Sequence, residues 1–387
     1  MKKIVILGST GSIGMNAVRS VKNLGAGWRV IGLSVRSNTE KLLEQIKELS
    51  PEYVSVFDAG AAKDIKGQLP AGVKLLPPGK EGLAEIASLD EADIVLNSVS
   101  GAVGFEPLIA SIKAGKTIAL ANKEPMVMAG KLIMEEARKY GARILPVDSE
   151  PSAIFQCLQN IKDGGYDDAV RRILLTASGG PFYNSGTDMS SVTPEQALKH
   201  PRWSMGKKIT VDSSTLMNKG LEAIEIKNLF SLPISKVQVL IHPQSIFHSG
   251  VEFTDGAVLA QLGQTSMTLP IQYALTWPDR RPSLAAPLDF YELAHLDFYR
   301  PDFSRFPCLG LAFEVGATEG LLPAAMSAAD ETAVNLFLEK KIKFTDIFRI
   351  VDGTVAACDG GGKLTFENVM ETDRMARAAA LAAASRL

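Results

Sequence analysis

Cysteine and histidine are scarce in this chain, whose 387 residues include three of the first and four of the second. The cysteines, Cys157, Cys308 and Cys358, are scattered, odd in number and without metal-ligand spacing. That argues against a disulfide framework and fits a reducing, cytoplasmic setting. An excess of one charge is also missing, since 41 Lys and Arg stand against 43 Asp and Glu. A general nucleic-acid or membrane-surface binder needs a clustered basic face, so neither role is expected. No apolar run approaches the roughly 18 residues that would span a bilayer. Met1-Lys2-Lys3 followed by Ile4–Leu7 resembles the start of a signal peptide. Its apolar stretch is too short and a glycine-rich loop follows at once, so a first strand is expected instead. The length leaves ample apolar material for two or three domains, and a soluble enzyme is the expectation.

What is present begins with alternation. Over residues 1–147, short apolar runs predict strands at Ile4–Leu7, Val30–Leu33, Tyr53–Phe57, Ile94–Leu96, Thr117–Leu120 and Ile144–Val147. Amphipathic stretches lie between them, such as Ile13, Ala17, Val21 and Leu24, then Leu42, Leu43, Ile46 and Leu49. Repeated βα units imply an α/β fold with a Rossmann-like, doubly wound parallel sheet.

Residues 148–275 read as a second, α+β domain. Arg172–Thr176 and Val237–Ile241 look like strands, and Phe247–Phe253 and Ala257–Leu262 flank a Thr254-Asp255-Gly256 hairpin turn. A long Gly/Ser/Thr/Pro stretch, Gly179 to Gly206, has little apolar content and reads as a mobile lid. Within it, Thr193-Pro194-Glu195 is expected to start a short helix, with Thr as cap and Pro in the first turn. Prolines 278, 282, 287, 301 and 307 suggest an irregular linker over 276–306. From 307 to 387 the pattern is helical, with Ile347, Val351 and Val355 at spacing four and an Ala-rich end from Met375 to Leu387. A C-terminal helical bundle is expected there.

The segment VILGSTGSIGMNAV sets Gly8, Gly11 and Gly14 after a strand and at the mouth of a helix. Glycines let the backbone turn tightly and approach a pyrophosphate, which then sits at the helix N-terminus. The spacing, G-x-x-G-x-x-G, is one residue longer than the commonest dinucleotide fingerprint. A site for NAD usually ends its second strand on Asp or Glu, and a site for NADP puts a cation there. Here that strand leads into Arg36, Ser37 and Asn38 with no acid. NADP is favoured over NAD, against the plainer reading of Arg36 as a solvated surface side chain.

In RILPVDSEPSA the apolar run stops at Asp148, and Glu150 follows two residues later. If the strand continues, period-two alternation points both carboxylates the same way. Two carboxylates aimed together repel unless a cation lies between them or one holds a proton. The segment DSSTLMNKGLEAIE, 212–225, reads as one helix with Met217, Leu221 and Ile224 on one face and Glu222 and Glu225 elsewhere. A third carboxylate from it would complete an all-oxygen site for Mg²⁺ or Mn²⁺, and spacing alone leaves Glu222 and Glu225 open. Few histidines and cysteines argue against zinc. His242 and His248 flank strand segments and are expected to be structural.

Eight motifs now stand in order: GSTGSIG, LANKE (120–124), PVDSEPSAIFQ, ASGGPF (177–182), HPRWSMG (200–206), VDSSTLMNKGLE (211–222), IHPQSIFHSGVEF (241–253) and DGAVLAQLG (255–263). Together they make the chain similar to the 1-deoxy-D-xylulose 5-phosphate reductoisomerases, and the helical tail fits that family's C-terminal domain. The resemblance implies NADPH- and metal-dependent rearrangement and reduction of a ketose phosphate in the non-mevalonate isoprenoid pathway, by a homodimer. It makes Asp148, Glu150 and Glu222 the metal ligands, settling the choice against Glu225. Ser178, Ser213, Asn218 and Lys219 match the substrate-phosphate site. Ser149, Lys123 and His200 match contacts around substrate and metal, and Trp203 matches the lid aromatic. Gly8, Thr10, Gly11, Ser12, Ile13, Arg36, Ser37, Asn38, Asn122, Glu124 and Gly206 match the NADPH contacts. One local departure is Arg36-Ser37, where the family commonly shows Gly-Lys before the Asn.

Two other classes fit less well. A semialdehyde-dehydrogenase type of reductase needs a nucleophilic cysteine, and none of the three cysteines lies beside a histidine-bearing motif. A non-enzymatic NADP sensor would need neither three carboxylates nor a tryptophan on a polar loop.

Overall fold

The apolar runs of the first half become parallel strands because each is buried on both faces. In the computed structural model, which describes residues 1–161, 165–203 and 205–387, these strands form one seven-stranded sheet. They are β1 (Lys2–Leu7), β2 (Trp28–Val35), β3 (Tyr53–Val56), β4 (Lys74–Leu75), β5 (Ile94–Asn97), β6 (Thr117–Leu120) and β7 (Arg143–Pro146). The order is β4-β3-β2-β1-β5-β6-β7, and every pairing is parallel. Ile4, Val5, Ile6 and Leu7 of the central strand are fully buried, each contributing roughly 1.5–3 kcal/mol of burial free energy. The order reverses between β1 and β5, the switch point at which doubly wound sheets open a crevice for a ligand. The glycine loop follows β1 there. Two-residue β4 at the sheet edge carries too little pattern to be read from sequence.

The chain divides into two units. The first comprises Met1–Pro125, Ile133–Ser152 and Ser266–Pro287, and the second Met126–Leu132, Ala153–Thr265 and Leu288–Leu387. The second unit holds a four-stranded sheet of β8 (Val170–Ala177), β9 (Val237–Ile241), β10 (Phe247–Phe253) and β11 (Val258–Leu262), ordered β11-β10-β8-β9. β10 and β11 form the expected antiparallel hairpin, while β8 and β9 run parallel. Four C-terminal helices follow: Pro307–Ala317, Leu322–Leu338, Phe344–Ala356 and Phe366–Ala384. Buried small residues let them pack closely, with Ala325, Ala328 and Ala376 in one cluster. Between Thr276 and Pro307 the described structure has one short helix, Phe290–Leu293, and a bridge from Tyr299 to Ile241.

Two local expectations are overturned. The strand before Asp148 ends at Pro146, and a helix, Ser149–Cys157, begins at once. The Ser152 N–H bonds the Asp148 carbonyl at 2.9 Å, so Asp148 sits at the helix mouth and Glu150 in its first turn, not two steps along a strand. Pro151 is tolerated there because first-turn N–H groups have no intrahelical partner. Residues 212–225 are not one helix either. Helices Lys207–Thr215 and Met217–Phe230 meet at Leu216, whose backbone is left-handed at φ 59°. The second helix is buried nearly all round, Glu222 and Glu225 included at 1% exposure each, so it has no polar face to read.

Candidate active site

The glycine loop of the first unit is shaped by steric need. Gly8 has φ +78°, and a Cβ on it would lie 2.9 Å from the Ser98 carbonyl oxygen. At Gly14 a Cβ would meet the Gly8 oxygen at 2.3 Å and the Ser9 Cα at 2.6 Å, so only glycine lets the helix start against the loop. Thr10 and Ile13 are half-buried, and Gly11 and Ser12 are exposed and accessible. After β2, Arg36, Ser37 and Asn38 are exposed. Asn38 also caps the next helix, Thr39–Leu49, its side-chain oxygen accepting the Lys41 N–H at 3.1 Å. Asn122 is 4% exposed and donates to the carbonyls of Gly101, at 2.8 Å, and Val99. Its oxygen accepts the Glu124 N–H at 3.2 Å, so Asn122 braces the loop after β5 against the start of the helix Glu124–Tyr140.

The ends of the paired parallel strands β6 and β7 bring Lys123, Asp148, Ser149 and Glu150 together within the same unit. Lys123, 5% exposed, pairs through its ammonium with the Asp148 carboxylate. The Ser149 hydroxyl donates to Glu150 Oε2 at 2.5 Å, and its N–H donates to Asp148 Oδ1 at 2.9 Å. A carboxylate oxygen of Asp148 and one of Glu150 lie within 4.8 Å of each other. The two acids therefore do converge, through the first turn of a helix rather than through strand alternation. Like charges this close call for a cation. Lys123 supplies one on the Asp148 side, and carboxylate oxygens without sulfur or imidazole suit a hard divalent ion.

In the second unit, Ser178 follows β8 directly. Its hydroxyl lies 2.9 Å from His200 Nε2 and accepts the Gly180 N–H at 3.2 Å. His200 Nδ1 accepts the Arg202 and Trp203 N–H groups at 3.2 and 2.9 Å, so the ring proton belongs on Nε2 and is donated to Ser178. Ser178 is left with its own hydroxyl proton to give to a ligand. Gly180, at φ +64°, lets this loop pass close to Ser213, where a Cβ would lie 2.7 Å from the Ser213 carbonyl oxygen. Trp203 is half-buried, with its ring 6.2 Å from that of His248. Ser204, within the HPRWSMG motif, lies outside the described residues.

The stretch 179–206 holds the expected helix, Pro194–Ala197, with Thr193 as cap and a capping box to Gln196. It is better anchored than its composition suggests. Phe182 is buried against Phe344, and Arg305 donates to the carbonyls of Phe182, Ser185 and Thr187 at 3.3, 3.0 and 2.9 Å. Nothing in the proline-rich stretch around Arg305 marks it as a tether.

The break at Leu216 presents the remaining candidates from two helix ends. Ser213 lies near the end of one helix and Asn218 and Lys219 at the start of the next. Asn218 Nδ2 donates to Glu222 Oε1 at 2.6 Å, and the Lys219 ammonium pairs with Glu222 Oε2. With Lys219 at 4% and Glu222 at 1% exposure, the pair is buried, and neither charge is tolerated there without a partner. Gly206, exposed, is the N-cap of the helix Lys207–Thr215. In that helix Lys208 bridges the buried Asp212 at 2.6 Å and Asp330 at 2.8 Å, an anchor to the C-terminal helices that the sequence pattern hides. His242 is structural: Nε2 accepts the Ile246 and Phe247 N–H groups, both at 3.2 Å, and Nδ1 donates to the Asp297 carbonyl at 2.8 Å. Burial and the nearby Asp330 and Asp212 carboxylates push the Cys308 thiol well above its usual range, unlike a nucleophile.

Among the described residues no helix is long and apolar enough to cross a membrane. Family models match in three blocks. Residues 4–130 match 1-deoxy-D-xylulose 5-phosphate reductoisomerase, 144–230 its C-terminal domain, and 262–379 the DXP reductoisomerase C-terminal domain. The reductoisomerase of Elusimicrobium minutum is 52% identical over 97% of this chain and 96% of its own. That of Endomicrobium trichonymphae is 48% identical over 97% of both. The solved Zymomonas mobilis reductoisomerase in complex with NADPH matches with a TM-score of 0.91 and 40% identity over the whole of both chains. A reductoisomerase in complex with NADPH, fosmidomycin and magnesium gives a TM-score of 0.92 at 38% identity, covering 100% of this chain and 98% of that one. Sequence likeness and fold agree from end to end, and the chain belongs to the 1-deoxy-D-xylulose 5-phosphate reductoisomerase family.

Proposed function

We infer that this protein converts 1-deoxy-D-xylulose 5-phosphate to 2-C-methyl-D-erythritol 4-phosphate, using NADPH and Mn²⁺ or Mg²⁺, in the non-mevalonate isoprenoid pathway. The observation that carries the reading is 52% identity to a reductoisomerase over nearly the full length. In this reading residues 1–147 take NADPH through Gly8, Thr10, Gly11, Ser12, Ile13, Arg36, Ser37, Asn38, Asn122 and Glu124, with Gly206 as a further contact. Residues 148–275 are catalytic and form the interface of a homodimer, 276–306 link, and 307–387 form the C-terminal helical domain. The protein acts in the cytoplasm.

By the family resemblance, Asp148, Glu150 and Glu222 are the residues that would hold one divalent ion. When bound, the ion supplies Lewis-acid polarisation of substrate oxygens, and NADPH supplies the hydride. The chain's own residues bind and orient. Ser178, Ser213, Asn218 and Lys219 donate to the substrate phosphate, which fixes the carbon skeleton at a distance from the reacting centre. Ser178 can do so because His200 and Gly180 occupy its oxygen and leave its proton free to point at the ligand. Lys123 and Ser149 keep the charge and orientation of Asp148 and Glu150 set for the substrate. The 179–206 stretch is the lid, and Trp203 covers the substrate and excludes water from a reactive aldehyde.

The test is loss of NADPH absorbance with 1-deoxy-D-xylulose 5-phosphate, with and without Mn²⁺ or Mg²⁺. Metal-dependent consumption and a 2-C-methyl-D-erythritol 4-phosphate product are expected. No consumption with either metal would refute the reading.

A further inference from the structure

Gln45 lies in the helix Thr39–Leu49, on what the sequence shows only as an amphipathic stretch, yet it is 2% exposed. It reaches the glycine loop and bonds twice to one residue there. Gln45 Nε2 donates to the Ser9 carbonyl oxygen at 2.9 Å, and the Ser9 hydroxyl donates to Gln45 Oε1 at 2.7 Å. The amide orientation is fixed by chemistry, since a carbonyl can only accept and must face the NH₂ end. The same nitrogen lies 3.3 Å from Met15 Sδ, in the helix that the loop opens. Ser9 itself is fully buried, and its N–H donates to the Ser34 carbonyl of β2 at 2.9 Å.

The consequence falls on the next peptide. In a planar trans peptide the carbonyl and the following N–H point in opposite directions. With the Ser9 carbonyl held toward Gln45, the Thr10 N–H is turned away from the helix Thr39–Leu49. That N–H has no acceptor among the described residues. It belongs to the half-buried residue at the tip of the loop, where a pyrophosphate would be received.

We propose that Gln45 is a positioning residue for the nicotinamide nucleotide: it locks the Ser9–Thr10 peptide so that the Thr10 N–H faces the pyrophosphate. It does not touch the cofactor, and it acts through Ser9. The inference rests on the nucleotide site proposed above.

The experiment compares wild type with Gln45→Leu, Gln45→Glu and Ser9→Ala by NADPH titration calorimetry, steady-state kinetics and thermal melting. Gln45→Leu removes both bonds. Gln45→Glu keeps the acceptor for the Ser9 hydroxyl but sets an oxygen against the Ser9 carbonyl, and serves as the readout if the leucine variant does not fold. Both are expected to raise the NADPH Kd and KM about tenfold or more, with kcat at saturating NADPH within about twofold of wild type. NADH should weaken by the same factor, because the pyrophosphate is common to both. Ser9→Ala keeps the carbonyl bond and should lose much less. A folded Gln45 variant with a lowered melting temperature but unchanged NADPH affinity would overturn the proposal, as would a fall in kcat alone. Failure of the wild type to bind NADPH at all is a different result, and would remove the nucleotide reading itself.

Discussion

The Ser178 hydroxyl and His200 Nε2 lie 2.9 Å apart, joining the root of the 179–206 stretch to its far end. Because Arg305 and Phe182 already hold residues 182–187, movement of this stretch should concentrate around His200 and Trp203. Fosmidomycin with Mn²⁺ should slow hydrogen exchange across 199–203 more than across 182–187. Tryptophan fluorescence should change as well, and Trp203→Phe assigns the signal against the other two tryptophans. His200→Asn keeps an acceptor near the Nδ1 position but loses the Ser178 partner, and should lower kcat/KM by about tenfold or more. Trp203→Ala should reduce turnover more than metal affinity. Equal exchange in the free and saturated protein would mean that the stretch is an ordinary surface loop.

Glu222→Gln separates a ligand role from a structural one. The amide is a poor ligand for a hard cation, so metal-dependent turnover should vanish while NADPH binding on the first unit stays near wild type. The change also breaks the buried pair between the Lys219 ammonium and the Glu222 carboxylate, which costs on the order of 3–5 kcal/mol in such pairs. Adding Lys219→Met should recover much of the melting temperature and none of the activity. Wild-type turnover in Glu222→Gln at limiting Mn²⁺ would show that the ligand assignment is wrong.

Arg36 is exposed at the end of β2 with no acid beside it in the Arg36-Ser37-Asn38 run. Arg36→Ala should therefore weaken NADPH roughly ten- to a hundredfold while leaving NADH nearly unchanged, measured as separate dissociation constants. Loss of the same size for both cofactors would take the 2′-phosphate away from Arg36. Asn38, which caps the following helix, should instead show a stability loss of about 1 kcal/mol on substitution by Ala.

Much of this was legible in the sequence where structure is periodic or sterically forced. Parallel strands buried on both faces leave contiguous apolar runs, and Gly8 and Gly14 stand where the backbone admits no Cβ. The failures have equally local causes. Leu216 adopts φ 59° without being Gly or Asn, so nothing in the residue type announces the break between two helices. Met217–Phe230 is buried on nearly every side, which erases the pattern that would separate Glu222 from Glu225. Ser149-Glu150-Pro151 carries a helix-start signal in its proline, but the apolar run before it reads more strongly as a strand. Gln45, Arg305 and Lys208 act through long-range partners, and single-residue chemistry gives no hint of them.

His242 supplies a pH-dependent term in stability whose sign follows from its contacts. The ring is fully buried and neutral, donating from Nδ1 to the Asp297 carbonyl and accepting two N–H groups at Nε2. Burial lowers its pKa from the usual 6.5, and the hydrogen bond and charge of Asp297 only partly oppose this. The charge felt by the ring is that of the Asp297 carboxylate, which accepts from Gln244 at 2.6 Å and lies 3.4 Å from the His295 ring. As pH falls through 6.5, His242 takes up a proton in the unfolded chain before it does so in the folded one. The stabilisation is therefore complete above pH 6.5 and is lost progressively below it, until the folded ring titrates too. The slope from this one site cannot exceed about 1.4 kcal/mol per pH unit. Urea unfolding between pH 7.5 and 5 should show stability falling with pH. In His242→Gln the slope in that window should shrink, even though the variant is less stable throughout. An unchanged slope in the variant would assign the pH dependence to other groups.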